Sequence, residues 1–370
     1  MHIFALMTML MALAIPQQAP RNTPVELNGL GNPVPAPPPA VAVEGTIPEA
    51  WSSDRATIVI FFSTLSRGTM IDLVGLANIE ARNPGIDIIA VTSETPEKIR
   101  QVVADVYKQN RPSDPSLQTI ISDPEGLWSK AILTPTQRKR LPVAVAIDRT
   151  GSIAWHGLAT PQAAGFPIAQ LSAKRWNTAA YIDNVKLNML RTTNAGRISA
   201  ARRKAQQDGD FQGALATIDE VIASDPPNVV NKLSRYAFIL VDMNQPDMAY
   251  PYGRELAQAY ADDYITLNDL AWRVVSSDIP SPNLDYALDM SQRANALRGY
   301  ADYALLDTLA RVHWMRGDRD RALDWQRRSV ALAPDSWHGD ESRHHLDAYE
   351  SGIYAPGQMP PTYSSPRKRR

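Results

Sequence analysis

The sequence predicts an α/β domain followed by an all-α repeat solenoid, and three observations lead there. Short β-branched runs alternate with helix-spaced segments between residues 51 and 190, the pattern of a largely parallel sheet with crossover helices. From about residue 194 to 350 only helical spacing remains, and it recurs at a nearly constant interval. The chain of 370 residues contains no cysteine, which excludes disulfides, thiolate nucleophiles, iron–sulfur clusters and the usual structural zinc sites. A net charge of -1 gives no electrostatic reason to expect nucleic acid or an anionic membrane as partner. No cofactor and no metal is expected.

Residues 1–19 read as a signal peptide. Ile3 to Ile15 is an apolar run broken only by Thr8, too short to span a bilayer comfortably, and Ala12-Leu13-Ala14 supplies the small-x-small pattern for cleavage after Ala14. Met1-His2 carries no Lys or Arg, so an uncleaved anchor stays open as the alternative, while the lack of a following cysteine excludes a bacterial lipoprotein. The expectation is an exported chain, periplasmic or secreted, with no stable membrane span after cleavage. Residues 20–50, centred on Pro35-Ala36-Pro37-Pro38-Pro39, lack a periodicity that buries a face and read as a proline-rich linker; docking to a proline-binding domain is the minority reading.

Within 51–190, Ala56-Thr57-Ile58-Val59-Ile60-Phe61-Phe62 has the length and residue types of a buried strand. A helix follows, turned in by Ser66-Arg67-Gly68, carried by Met70, Leu73, Val74 and Ala77, and stopped at Asn83-Pro84-Gly85. Ile86 to Val91 is a second strand. Thr95 then caps a helix whose first residue is Pro96. Leu141 to Ile147, the turn Asp148-Arg149-Thr150-Gly151 and Ser152-Ile153-Ala154-Trp155 read as an antiparallel hairpin, and a last helix is expected between Pro167 and Leu190.

Three of these segments resemble the thioredoxin fold, in particular exported thiol-disulfide reductases of the TlpA-like type. Phe61-Phe62-Ser63-Thr64-Leu65-Ser66-Arg67-Gly68-Thr69 stands where the family reads F-W-A-T-W-C-x-x-C. Ile88 to Glu94 is similar to V-I-G-V-S-x-E, and Leu141-Pro142 through Gly151 to x-P-T-x-x-x-I-D-x-x-G. The resemblance implies a cis Pro142 facing the active-site turn. It also places the two redox-cysteine positions on Ser66 and Thr69, whose hydroxyls can neither attack a disulfide nor resolve a mixed one. Ser66 and Thr69 then read as helix caps, with anion binding assisted by Arg67 as the lesser alternative. His156 is the one histidine of this domain and lies far from the turn in the family's geometry, which speaks against a serine-hydrolase arrangement.

From Asn194 the helices resemble tetratricopeptide (TPR) repeats. Gly209-Asp210-Phe211-Gln212-Gly213-Ala214-Leu215 and Gly317-Asp318-Arg319-Asp320-Arg321-Ala322-Leu323 open equivalent helices, and Ala214, Ala249, Ala287 and Ala322 stand 35, 38 and 35 residues apart. The longer interval matches the insertion Ser276 to Pro282. About four repeats and a capping helix from Gly339 to Glu350 are expected within 194–350, and 351–370 as a disordered basic tail. His338, His344 and His345 beside Asp340 and Glu341 read as a solvated capping helix rather than a metal site. The resemblance implies that the first helix of each repeat lines a groove for a protein or peptide. The positions that would face it are Asn231, Ser234, Phe238, Asn268, Trp272, Asp307, Arg311 and Trp314; for Phe238, Trp272 and Trp314, packing between helices is the alternative. The expected function is an exported, non-catalytic interaction protein; the alternative is an oxidoreductase-family enzyme with a cysteine-independent chemistry.

Overall fold

The computed structural model describes residues 27–64, 67–108 and 119–358, which fall into two compact units divided between Met189 and Leu190. The signal-peptide reading, Ser66 and the last residues of the basic tail lie outside the described residues.

The first unit is built on a six-stranded sheet. Its strands are β1 (Val41–Glu44), β2 (Ala56–Phe61), β3 (Ile86–Thr92), β4 (Thr119–Ser122), β5 (Val143–Ile147) and β6 (Ile153–Leu158), in the order β1-β4-β3-β2-β5-β6. β2, β3 and β4 run parallel, while β5 and β6 form the antiparallel hairpin read from the sequence. β2 is apolar along nearly its whole length because it is buried on both faces. Ile58, Ile60 and Phe62 turn to one face, where they meet α1 (Arg67–Arg82), α2 (Pro96–Lys108) and α3 (Pro161–Ser172). Val59 and Phe61 turn to the other, among Val34, Trp128 and Ile132.

α2 begins at Pro96 as expected, but α3 begins at Pro161. Thr160 Oγ1 accepts from the Ala163 amide there, and Pro167 lies inside the helix rather than at its start. β1 and β4, four residues each, were not anticipated.

The proline-rich segment is not a free spacer. Gly31 N donates to Ile153 O (2.8 Å) and Val34 N to Gly151 O (2.8 Å), so the chain pairs with the start of β6. Residues 41–44 then pair with β4 at the opposite edge of the sheet. Composition hid this, because the prolines between the two pairings carry no amide for a ladder.

The second unit stacks antiparallel helix pairs. α4 (Thr178–Asp208), whose first part precedes the division, faces α5 (Phe211–Ser224). α6 (Val229–Ala237), prolonged by a π-turn over Phe238–Asp242, precedes α7 (Pro246–Ala259). α8 (Tyr264–Ser276) pairs with α9 (Leu284–Leu297) across the 277–283 insertion, α10 (Tyr303–Met315) pairs with α11 (Arg319–Leu332), and α12 (Trp337–Glu350) closes the series. Asp210, Asn228, Asp263, Asn283, Asp302 and Asp318 each cap a helix by accepting a backbone amide. The recurring small residues Ala249, Ala287 and Ala322 are fully buried at the helix contacts.

Two points differ from the sequence reading. Ordered chain continues past Glu350 to residue 358, where Gly357 N donates to Trp314 O (2.8 Å). His345 is fully buried rather than solvated.

Candidate functional site

In the first unit the strand ends converge on one carboxylate. Glu94 lies two residues beyond β3, with its side chain 12% exposed. Its Oε1 accepts from Ser63 Oγ, Thr64 N and Thr64 Oγ1, each at 3.1 Å, and its Oε2 accepts from Thr92 Oγ1. Lys98 Nζ stands 3.9 Å from Oε1, and Ser122 Oγ donates to the Glu94 carbonyl (2.7 Å). One residue thus ties the ends of β2, β3 and β4.

With these donors committed to it, the carboxylate holds the Ser63, Thr64 and Thr92 hydroxyls in place. The sequence singled out Glu94 only as part of a motif. Its role as an anchor depends on Ser63 and Thr64, thirty residues earlier, and no local pattern shows that. The Leu141-Pro142 bond is cis, as the resemblance implies. Since Val143 pairs with Phe61, Pro142 is level with Phe62 at the same end of the sheet. Thr69 lies in the first turns of α1. No thiol stands anywhere in the chain.

His156 lies within β6 opposite Val145 and has a structural task. Arg138 Nε donates to its Nδ1 (3.2 Å), while its Nε2 meets the Asn28 carbonyl at 2.9 Å. A guanidinium only donates and a carbonyl only accepts, so the ring is the neutral Nε2–H tautomer. Burial, then the Arg138 charge, press its pKa down to about 4 against the pull of the Asn28 bond.

Because the folded value lies below the unfolded one near 6.5, stability is full above pH 6.5. It falls as pH drops from 6.5 toward 4, by roughly 3 kcal/mol. We expect His156→Gln, which can keep both bonds, to remove that component: the wild-type minus variant difference in unfolding free energy should change between pH 7 and 4.5. A pH-independent difference would dismiss His156 as the titrating group.

In the second unit, five of the eight groove positions are inside the protein. Asn231 is 5% exposed, Asp307 7%, and Phe238, Arg311 and Trp314 are fully buried. Phe238 packs beside Phe211, with ring centroids 6.2 Å apart. Asp307, Arg311 and Trp314 lie under α12 and the residues after it. His345 Nδ1 donates to Asp307 Oδ1 (2.9 Å), and Arg311 Nη1 lies 3.5 Å from the His345 Nε2.

Gln326 Nε2 reaches Asp307 Oδ1 at 2.6 Å, and Arg311 Nε donates to Val275 O at 2.8 Å. Burial pushes the Asp307 pKa up, but the charge and hydrogen bond of His345, with Gln326 and Arg311, carry it below its ordinary value. Burial raises Glu341, with the Asp307 charge adding to it. Asp307, Arg311, Gln326 and His345 form an internal polar core.

Ser234, Asn268 and Trp272 remain half-buried and within reach of one. Trp272 has the Arg311 guanidinium 5.3 Å from its ring centroid. On α7 and α9, Arg254, Gln258, Tyr286, Asp289 and Arg293 line an open recess of about 540 Å³. Among the described residues no group of three His, Asp or Glu is placed to hold a metal ion, and no helix is long and apolar enough to cross a membrane.

No protein-family profile and no curated protein matches the chain. Among solved structures, a thioredoxin-family thiol:disulfide interchange protein from Chlorobium tepidum TLS is 16% identical. That match spans 38% of this chain and 97% of the other, with a TM-score of 0.27. MamA is 20% identical over 43% of this chain and 83% of its own, with a TM-score of 0.29. A thermophilic TPR protein in Thermus thermophilus is 15% identical over the same shares, with a TM-score of 0.31. By its own strand order, hairpin and helix pairs, this chain joins a cysteine-free thioredoxin-like fold to a tetratricopeptide-type repeat array.

Proposed function

We propose that the protein is an exported, redox-inactive interaction protein, in which the thioredoxin-like unit serves as a scaffold and the repeat array as a platform for a protein or peptide. The observation that carries this reading is the corner at the ends of β2 and β3. There the family's chemistry requires two thiols; this chain has none, and the hydroxyls preceding α1 are bound to Glu94. A hydroxyl whose pKa lies far above physiological pH does not replace a thiolate in disulfide exchange. Export is supported by the apolar run Ile3 to Ile15 and the Ala12-Leu13-Ala14 pattern. Partner binding falls to Ser234, Asn268 and Trp272, since the other positions are enclosed.

One preparation tests the catalytic and cellular parts together. The full chain, expressed with its own N-terminus, should be recovered from the exported fraction shortened at its start. It should reduce insulin disulfides no faster than the buffer with reductant alone. Turnover above that background sinks the non-catalytic reading, and an intact Met1 in a wholly cytoplasmic product sinks export.

A further inference from the structure

The stretch between the two edge pairings crosses the face of the sheet that α1, α2 and α3 leave uncovered. From the stretch paired outside β6 to β1 there are six strand spacings, up to about 29 Å at roughly 4.8 Å each in a flat sheet and less across a twisted one. The seven steps from Val34 to Val41 reach about that far only when nearly extended. A chain crossing over side chains finds no backbone partners below it, so each amide on the way would be left without one. Pro35, Pro37, Pro38 and Pro39 have no amide to lose, and their fixed φ favours an extended path.

What remains are carbonyls, and two of them are taken by tryptophans. Trp51 Nε1 donates to Pro35 O (2.7 Å) and Trp128 Nε1 to Pro38 O (2.9 Å). The acceptors stand three residues apart, one turn of a polyproline II helix. The two rings meet edge to face, with centroids 5.9 Å apart and planes at 87°. Trp128 is itself held from behind, because Asp123 accepts from the Leu127, Trp128 and Ser129 amides (2.8, 3.1 and 3.3 Å). Aromatic walls with indole donors aimed at carbonyls of an amide-poor strand are the physical recipe for recognising proline-rich peptides.

We propose that this face, built on Trp51 and Trp128, is a binding groove for proline-rich segments, filled in this chain by its own residues 33–39. The ligand class is an extended segment that presents prolines and two carbonyls three residues apart. Pro33, Pro35, Ala36 and Pro39 are exposed to solvent on the outer side, which leaves the bound segment accessible to a competitor. A proline-rich segment of another protein therefore occupies the groove by displacing the internal one. The residues involved are separate from Ser234, Asn268 and Trp272.

The test uses the full chain with Pro35, Pro37, Pro38 and Pro39 replaced by Gly or Ser, so that length and the β1 pairing are kept while the internal ligand is weakened. A fluorescent synthetic peptide of residues 31–41 should bind this variant saturably and at least tenfold more tightly than it binds the native chain. Adding Trp51→Phe, which keeps a ring and removes the donor, should weaken binding about tenfold. A peptide with alanine for every proline should also bind at least tenfold more weakly. No saturable binding, equal affinity for native and altered chains, or equal affinity for the proline-free peptide overturns the proposal.

The intact chain gives a second reading that does not depend on the altered arm folding. Trp51→Phe alone should quicken amide exchange at Val34 about tenfold and leave the amides of α3 unchanged. Unchanged exchange at Val34 overturns the proposal equally.

Discussion

Replacing Asp307 by Ala lowers the stability of the repeat unit by roughly 3 kcal/mol, because each buried donor that loses its acceptor costs about 1–3 kcal/mol. The substitution leaves the buried Gln326 amide and the His345 Nδ1–H without the acceptor they share. Asp307→Asn keeps an acceptor oxygen and should cost less, because only the charge is lost. Replacing Asp307 and His345 together by apolar residues of similar volume should cost less than Asp307→Ala alone, since donor and acceptor are then removed together.

Asp307 also carries a pH dependence. The folded pKa of Asp307 lies below its unfolded value, so this stabilisation is present above the unfolded carboxylate pKa and is lost as pH falls through the folded one. Denaturant unfolding of the full-length variants, followed on the transition of the repeat unit, reads all of this. An Asp307→Ala chain within 1 kcal/mol of wild type would show that the network is not a stabilising core.

Trp314→Ala should cost about 3–5 kcal/mol by leaving a large cavity. The indole is fully buried and stacked on Tyr349, with centroids 4.3 Å apart and planes at 17°. Its Nε1 donates to Gln358 O at 2.9 Å. The loss should therefore be felt first by α12 and residues 351–358, which limited proteolysis would cut before the rest of the array. Trp314→Phe retains most of the packing and forfeits the hydrogen bond, an expected loss of about 1 kcal/mol. Equal protease resistance in wild type and Trp314→Ala would mean that α12 is anchored elsewhere.

These two residues also mark where the sequence stopped being informative. The repeat phase was legible because Ala214, Ala249, Ala287 and Ala322 recur at the helix crossings, and because Asp or Asn precedes most of the helices. Counting along α10 then placed Asp307, Arg311 and Trp314 on one face. Whether that face meets solvent depends on α12, and a segment rich in His, Asp, Glu and Arg does not reveal that it covers anything.

In the first unit, strands buried on both faces stood out as apolar runs, and the β5–β6 hairpin was marked by its turn. β4 contributes only four residues and β1 hides among prolines, so their place came from pairing rather than from pattern. The same holds for His156, whose partners Asn28 and Arg138 are distant in sequence.

The path of residues 31–44 has a further consequence for how the protein behaves in a crowded solution. Unpaired outer strands invite sheet-to-sheet association between molecules. Here a single stretch of chain reaches both edges: its first pairing meets the start of β6 at Gly151–Ile153, and its second adds β1 outside β4. The new outer strand is four residues long, ends in Glu44 and carries a register irregularity between Ala42 and Glu44. Shortness, a charge and a bulge each make it a poor template for another strand. The stretch that completes the sheet thereby also blunts its β4 edge against association with another molecule.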